Sequence, residues 1–267
     1  MPFASKLFLN VDIYIEKQYD KNMDYMELII DFFKDLHYLG PGDEGQTKKA
    51  LEILNIGNRQ IKILDVGCGT GVQTIVLAKE TQSEVIAVDF IKPFLNELDK
   101  KINNTGLNIK TLCAKMEELP FEKEYFDLIW SEGAVYNMGF INAINYLKKF
   151  IKPNGCLAVT EISWLTNERP DEIDNYWKNA YTDINTIENK LNQLRNCGYR
   201  VIDNFILPNY CWENYYEPIK MKEKAFLEKW KHKKEVIDFV NETVLERELF
   251  EKYNKYYNYV FYIAQKE

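Results

Sequence analysis

Three glycines that alternate with other residues directly follow a short apolar segment of the chain. The segment spans residues 61–66, and the glycines are Gly67, Gly69 and Gly71. An apolar run of this length ended by glycine predicts a buried parallel strand, and the apolar spacing after Gly71 predicts a helix. Since glycine has no Cβ, such a turn lets a ligand lie against backbone N–H groups at the positive end of the helix. The pattern predicts a binding site for a nucleotide-like molecule.

An acidic residue ends the next predicted strand. Residues 84–88 are mostly apolar and lead to Asp89, which comes about 20 residues after the glycines. A carboxylate at this place can accept hydrogen bonds from both hydroxyls of a ribose, and Phe90 beside it can stack next to a base. The alternative is that Asp89 only caps the helix that follows. We favour the ribose interpretation because the glycine turn precedes it.

The spacing of the glycines separates two classes of nucleotide. In the dinucleotide-binding fingerprint the third glycine comes three positions after the second, where this sequence has Val72. The strict NAD pattern is therefore broken. With Asp65 included, the run Asp65-x-Gly67-x-Gly69-x-Gly71 resembles motif I of the class I S-adenosylmethionine (SAM) dependent methyltransferases.

Later segments strengthen this resemblance because they follow in the order typical of that family. They are Leu119-Pro120-Phe121, Phe126-Asp127-Leu128-Ile129 and the turn Lys152-Pro153-Asn154-Gly155. The resemblance covers roughly residues 45–162. It implies an α/β fold with a doubly wound, mostly parallel seven-stranded sheet and one antiparallel strand near the edge. The fifth strand is expected at residues 156–160, after the turn, and the last two strands at 199–207 and 256–265.

The resemblance also implies SAM as the cofactor and a set of residues that bind it. These residues are Asp65, Gly67, Cys68, Gly69, Thr70, Gly71, Asp89, Phe90, Met116, Glu117 and Ser131. Lys115 is a departure from the family, because many relatives carry Asp there to receive the adenine amino group. The Met116 backbone and Glu117 then remain as the candidates for contact with adenine.

The acceptor is expected near the end of the strand at residues 125–130, since ligands collect at the carboxyl ends of parallel strands. Glu132 is the candidate catalytic residue: it could hold the ammonium group of SAM, orient a cationic acceptor, or act as a base. The candidate substrate-binding residues are Tyr136, Asn137, Trp164 and Trp212. Glu161 at the end of the next strand is a second carboxylate. The two histidines, His37 and His232, are expected at the surface.

We expect a single domain over residues 1–267. Residues 1–58 are assigned to N-terminal helices or a lid, with a helix over 23–36 and with Tyr14, Tyr19 and Tyr25 as rim or lid aromatics. Residues 59–162 form the SAM-binding core. Residues 163–183 and 208–255 exceed what the sheet needs and are expected to form a substrate lid.

Composition limits the classes of partner. The net charge is −7 and the lysines are interleaved with glutamates, which argues against nucleic acid. The five cysteines include no CxxC pair, so reduced thiols and no metal are expected. The sequence contains neither a membrane-length apolar stretch nor a secretory signal, and we expect a cytoplasmic monomer or homodimer.

These observations favour a SAM-dependent methyltransferase for a small organic molecule. A protein or rRNA methyltransferase and a SAM-binding regulator without activity remain alternatives, and an NAD-dependent dehydrogenase is disfavoured by Val72. The sequence does not identify the acceptor or the atom that is methylated.

Overall fold

The computed structural model describes residues 25–56 and 59–267. The predicted aromatic residues Tyr14 and Tyr19, and the start of the helix predicted from residue 23, lie outside the described residues.

A single sheet forms the centre of the structure. Its strands are β1 (Lys62–Val66), β2 (Glu84–Asp89), β3 (Ile109–Cys113), β4 (Phe126–Ser131), β5 (Ile151–Trp164), β6 (Asn185–Thr186), β7 (Tyr199–Ile206) and β8 (Tyr257–Lys266). The strand order is β3-β2-β1-β4-β5-β8-β7, and the two-residue β6 pairs beside β5. β8 is antiparallel to both of its neighbours, whereas the strands from β3 to β5 are parallel. The predicted α/β fold class is confirmed, with the short β6 as an addition to the seven expected strands.

Helices cover both faces of this sheet. They are α1 (Tyr25–Phe33), α2 (Glu44–Leu54), α3 (Val72–Thr81), α4 (Lys92–Ile102), α5 (Phe140–Lys148), α6 (Asp171–Ala180), α7 (Ile187–Asn196), α8 (Tyr210–Lys229) and α9 (Lys234–Tyr253). One apolar core lies between the sheet and a group that includes α1, α6, α8 and α9, and a second core lies under α5 and α7. None of the helices in the described ranges has the length and hydropathy needed to cross a lipid bilayer.

In the sheet, β1 lies between β2 and β4: the chain runs outward to β2 and β3 on one side of β1 and then returns to add β4 and β5 on the other, so the strand order reverses at β1. Chain segments that leave the carboxyl ends of β1 and β4 move apart to opposite sides. In open α/β sheets this reversal creates a crevice in which ligands bind. The glycine turn follows β1 and the segment with Glu132 follows β4, so the fold brings both to this crevice.

The turn predicted at Lys152-Pro153-Asn154-Gly155 does not precede β5 but lies within it. Phe126 of β4 is paired with Ile151, and Leu128 is paired with Cys156, so four residues of β5 stand opposite one residue of β4 and three of them are extra. Asn154 has a φ of 60° within the bulge. A Pro and an Asn mark an irregularity equally well in a bulge or in a connecting turn, which is why strand β5 begins five residues before the predicted position.

The chain between β7 and β8 forms a helical hairpin of α8 and α9. Its contacts run in opposite directions along the two helices: the Tyr216 hydroxyl donates to Glu246, and the Phe226 ring meets Phe239. Phe226 also packs edge-to-face on Phe32 of α1, with 4.7 Å between ring centroids. The hairpin is therefore fixed to the N-terminal helix as well as to the sheet.

Candidate active site

A cavity of about 460 Å³ opens at the carboxyl ends of β1, β2 and β4. Pockets for small molecules and cofactors usually have volumes of 300–1,000 Å³. The lining includes the glycine turn, the ends of β2 and β4, the segment after β3, and residues 37–42 with Thr47. We call residues 37–42 the roof segment.

The glycine turn takes a conformation that other residues adopt only with strain. Gly67, Gly69 and Gly71 have φ values of 71°, 55° and 81°. A Cβ on Gly67 would lie 2.3 Å from the Cβ of Ala134, and one on Gly71 would lie 2.3 Å from Cδ1 of Leu98. The three glycines are therefore required both by backbone conformation and by the close approach of neighbouring segments.

Asp65 does not line the cavity; its side chain binds α3, the helix that follows the glycine turn. Its side chain is fully buried and accepts a hydrogen bond of 2.5 Å from Oγ1 of Thr74 in α3. Burial raises the pKa of Asp65 to about 7, although the Thr74 bond acts in the opposite direction. The sequence placed Asp65 among the cofactor contacts, whereas the structure shows a residue that joins β1 to α3.

Asp89 lies at the cavity and also holds the backbone around it. One carboxylate oxygen accepts from the Gly69 N–H at 2.9 Å, and the other accepts from the Ile91 N–H at 2.8 Å. Burial raises the pKa of Asp89 to about 6, against these backbone hydrogen bonds. The bond to Ile91 holds the loop before α4 and does not cap the helix, whose N-cap residue is Ile91 itself. Both bonds are compatible with ribose binding because each carboxylate oxygen has a second lone pair.

The predicted contacts to the base line the same cavity. Phe90 is 41% exposed and belongs to the lining. Met116 and Glu117 line the segment after β3, and Cys68 and Thr70 belong to the lining of the glycine turn. Ser131 differs from the prediction: its side chain is buried and donates to the Val66 carbonyl at 2.7 Å, outside the lining.

Glu132 lines the cavity, and two side chains hold its carboxylate. Thr47 Oγ1 and Trp130 Nε1 both donate to its Oε1, each at 2.8 Å. Burial raises the pKa of Glu132 to about 7, while the two hydrogen bonds lower it. A carboxyl with this pKa can hold or release a proton near neutral pH. Tyr136 and Asn137, which the sequence offers as substrate-binding candidates, also line the cavity.

The roof segment was not among the sequence-derived site residues. It contributes His37, Tyr38, Leu39, Gly40, Pro41 and Gly42 to the lining. Leu39 lies so close to the glycine turn that a Cβ on Gly69 would be 2.8 Å from its Cδ1. The Gly42 N–H donates to the Cys211 carbonyl, and Asn214 Nδ2 donates to the Gly42 carbonyl. The only sequence signal was the cluster of glycine and proline at residues 40–45.

Most aromatic residues of the two long connections pack in the core; Tyr210, which is 42% exposed, is an exception. Trp212 stacks on Phe250 with 4.2 Å between ring centroids, and its indole N–H donates to Asn258. The Arg169 guanidinium covers the Trp164 ring at 3.9 Å. Among the described residues that line the cavity, none comes from residues 163–183 or 208–255. The structure thus places Trp164 and Trp212 away from the cavity, and the α8–α9 hairpin braces the roof segment from behind.

Comparison with known proteins agrees with this architecture. Residues 63–155 match the family model described as a methyltransferase domain. A demethylmenaquinone methyltransferase of Bacillus pumilus is 30% identical over 152 residues, which are 55% of this chain and 61% of the relative. A phosphoethanolamine N-methyltransferase of Plasmodium falciparum is 23% identical over 76% of this chain and 77% of its own length. The chain thus spans only about three fifths of the length of the Bacillus pumilus relative.

Solved structures extend the likeness to almost the whole fold. A SAM-dependent methyltransferase of Geobacter sulfurreducens, solved with S-adenosylhomocysteine, has a TM-score of 0.79 at 13% identity and covers 90% of this chain and 98% of its own. Identity this low is informative about the fold alone. The matched domain and the glycine turn at the reversal of the strand order are features that this chain shares with the SAM-dependent methyltransferases.

Proposed function

We propose that this chain transfers a methyl group from SAM to a small organic acceptor. The observation that carries the proposal is the single cavity in which the glycine turn, Asp89 and Glu132 meet. The residues fit SAM: the turn offers backbone without Cβ atoms, Asp89 offers a carboxylate for ribose hydroxyls, and Phe90 offers an exposed ring.

The proposed cofactor contacts are fewer than the sequence suggested. They are Gly67, Cys68, Gly69, Thr70, Gly71, Asp89, Phe90, Met116 and Glu117, all of which line the cavity. Asp65 and Ser131 are left out because their side chains are used within the protein, by Thr74 and by the Val66 carbonyl. Their proposed role is to fix the strand ends from which the contacts project.

In the proposed reaction the protein contributes mainly by positioning the acceptor against the methyl group of SAM. When bound, SAM supplies a methyl group that is already activated by its positive sulfur. The chain has to align the acceptor with that methyl group and exclude water, which the roof segment favours by covering the glycine turn. Glu132 can accept the proton of an acceptor that must lose one, since its pKa is raised to about 7.

Two features support a small acceptor. The cavity has the size of a small-molecule site, and the roof segment lies over one side of it. Relatives named for small acceptors include the demethylmenaquinone and phosphoethanolamine methyltransferases. A protein substrate is the second candidate, because a protein arginine N-methyltransferase of Dictyostelium discoideum is 31% identical over 142 residues.

Parallel calorimetric titrations with SAM, S-adenosylhomocysteine and NAD test the cofactor. We expect the two adenosyl ligands to bind and NAD not to bind. Binding of NAD alone would contradict the proposal. Methyl transfer is then followed with radiolabelled SAM against pools of small amines, alcohols and thiols and against protein extract, and tight binding without transfer to any of them would favour a regulator.

A further inference from the structure

The Glu132 carboxylate is held through only one of its two oxygens. Oγ1 of Thr47 and Nε1 of Trp130 both donate to Oε1, each at 2.8 Å. Within the part of the chain that the structure describes, no group donates to the second oxygen, Oε2. An ionised carboxylate can accept about four hydrogen bonds. Much of the accepting capacity of Glu132 is therefore unused inside the protein.

The two donors differ from Glu132 in their exposure to the cavity. Thr47 is 2% exposed and Trp130 is fully buried, whereas Glu132 is only partly buried and lines the cavity. The hydrogen bonds to Oε1 thus come from the interior of the protein. It follows that Oε2 is the oxygen that remains for a ligand in the cavity.

Both donors belong to elements that restrict their movement. Thr47 lies in the first turn of α2, whose N-cap residue Asp43 accepts from the Gly45 N–H at 2.9 Å. Trp130 belongs to β4, where it is paired with residues of β1 and β5 on either side. A carboxylate held by a helix start and a central strand is already in place before a ligand binds.

The Glu132 carboxylate also lacks a cation. Among residues 25–56 and 59–267, no ion pair includes Glu132, and its two donors are neutral groups. The buried carboxylate at the end of the next strand differs, because Glu161 has Lys190 at 3.0 Å. Carboxylates that are removed from water are usually paired with a positive charge. A cationic ligand at Oε2 would supply the charge that the protein does not.

The sheet topology separates Glu132 from the proposed ribose contact. Asp89 ends β2 and Glu132 follows β4, and β1 with the glycine turn lies between these strands. Neighbouring strands are about 4.8 Å apart, so the two strand ends are roughly 10 Å from each other. A ribose bound by Asp89 therefore leaves the β4 side of the cavity for the reacting groups.

We propose that Oε2 of Glu132 binds the protonated amine of the methyl acceptor, and that the acceptor is therefore an amine. This inference rests on the proposed methyltransferase function and adds the substrate class. A neutral alcohol or thiol would leave the carboxylate without a counter-charge, and an anionic acceptor would be repelled by it.

The same oxygen accepts the proton that the amine must lose. The proton passes from nitrogen to Oε2, the freed nitrogen lone pair forms the new N–C bond, and the C–S bond breaks with its electron pair left on sulfur. Glu132 is then neutral, the methylated nitrogen carries the positive charge, and S-adenosylhomocysteine is the second product. Burial raises the pKa of Glu132 to about 7, which makes it a stronger base than an ordinary glutamate.

The test compares two probes of similar shape, benzylamine and benzyl alcohol, by calorimetry at pH 8 with saturating S-adenosylhomocysteine. We expect benzylamine to bind at least about tenfold more tightly, because its hydrogen bond to Oε2 is charge-assisted. Glu132→Gln should abolish this preference and leave the affinity for S-adenosylhomocysteine within about twofold. Glu118→Gln is the matched control, since it removes a carboxylate from the same cavity lining, in the segment after β3. It should leave the preference unchanged.

Equal affinity for the two probes in the unaltered chain, or no measurable binding of benzylamine, would overturn the inference, and this comparison does not depend on any variant folding. A preference that survives in Glu132→Gln, or that is lost equally in Glu118→Gln, would overturn it as well. A loss of S-adenosylhomocysteine affinity of about tenfold in Glu132→Gln would assign the carboxylate to the ammonium group of the cofactor instead.

Titration of S-adenosylhomocysteine into the unaltered chain separates the two proposals. If that ligand binds and benzylamine shows no preference, only the acceptor class fails. If that ligand does not bind, the methyltransferase proposal fails and the amine subsite fails with it.

Discussion

Asp89 is expected to make the binding of adenosyl ligands depend on pH between 5 and 7. Its carboxyl lies at the cavity, and burial raises its pKa to about 6 in the unliganded protein. Ribose hydroxyls donate hydrogen bonds, so they favour the ionised carboxylate, which is the better acceptor. Ligand binding should therefore lower the pKa of Asp89 and become weaker as the pH falls.

The size of the effect follows from the pKa of about 6. At pH 5 about one molecule in eleven has Asp89 ionised, so the affinity should be about tenfold lower than at high pH, or roughly 1.4 kcal/mol. At pH 7 the corresponding loss is only about 10%. Binding at pH 5 should release about 0.9 proton, and binding at pH 7 about 0.1 proton.

Calorimetric titration of S-adenosylhomocysteine at pH 5, 6 and 7 in two buffers of different ionisation enthalpy measures both quantities. The Glu132→Gln background removes a second carboxyl whose pKa is raised to about 7. Asp89→Asn should bind more weakly and lose the pH dependence. Asp89→Ala is a poorer choice because the N–H groups of Gly69 and Ile91 would both lose their acceptor. An affinity that is constant from pH 5 to 7, or that falls as the pH rises, would refute the assignment of Asp89.

Three further variants test the supports of the site. Gly71→Ala should lower the free energy of unfolding by about 2–5 kcal/mol, because the new Cβ adds overlap with Leu98 to the backbone strain. Gly106→Ala is the control: it adds the backbone strain alone and should cost about 1–2 kcal/mol. Equal urea midpoints for the two variants would contradict the close contact with Leu98. Lys190→Met should lower the free energy of unfolding, measured in urea, by about 3–5 kcal/mol, because it leaves the buried Glu161 carboxylate without its 3.0 Å ion pair. The second substitution Glu161→Gln removes that unpaired charge and should restore most of the lost stability. Ser131→Ala should cost about 1 kcal/mol and leave S-adenosylhomocysteine affinity unchanged; a clear loss of affinity would return Ser131 to the ligand site.

The parts of the site that the sequence predicted are those set by local geometry. The glycine turn and Asp89 lie at the carboxyl ends of adjacent parallel strands. A strand followed by a glycine-rich turn is typical of a nucleotide-binding site, so the sequence indicates this part of the site directly. Ser131 shows that the same reasoning needs one more step. Successive side chains of a strand point to opposite faces, so Ser131 and Glu132 could not both face the crevice. Hydrogen bonds place Ser131 on Val66 and Glu132 on Thr47.

The parts that could not be predicted depend on contacts between distant segments. Thr47 and Glu132 are 85 residues apart, and no pattern in either segment indicates that they meet. The same holds for the roof segment, which the Cys211 carbonyl and Asn214 hold in place. Trp212 is of a residue type that is common in pockets, but in the structure its ring stacks on Phe250. Aromatic residues serve cores and pockets equally well, so their identity alone does not separate the two.

The carboxyls of the site also connect ligand binding to stability. Burial raises the pKa of Asp65 and Glu132 to about 7 and that of Asp89 to about 6, well above their values in an unfolded chain. Between pH 5 and 7 the native state therefore binds more protons than the unfolded state, and each such carboxyl lowers the free energy of unfolding by up to about 1.4 kcal/mol per pH unit as the pH rises. His37 makes the free energy of unfolding change with pH in the opposite direction, because burial lowers its pKa.

Urea unfolding without ligand should show stability falling from pH 5 to 7, and Asp65→Asn should reduce that slope. A ligand that favours ionised Asp89 should reduce the slope as well, so S-adenosylhomocysteine should stabilise the protein more at pH 7 than at pH 5. Stability that rises over this range in the unliganded chain would mean that these carboxyls are already ionised, and the pH dependence argued for Asp89 would lose its basis.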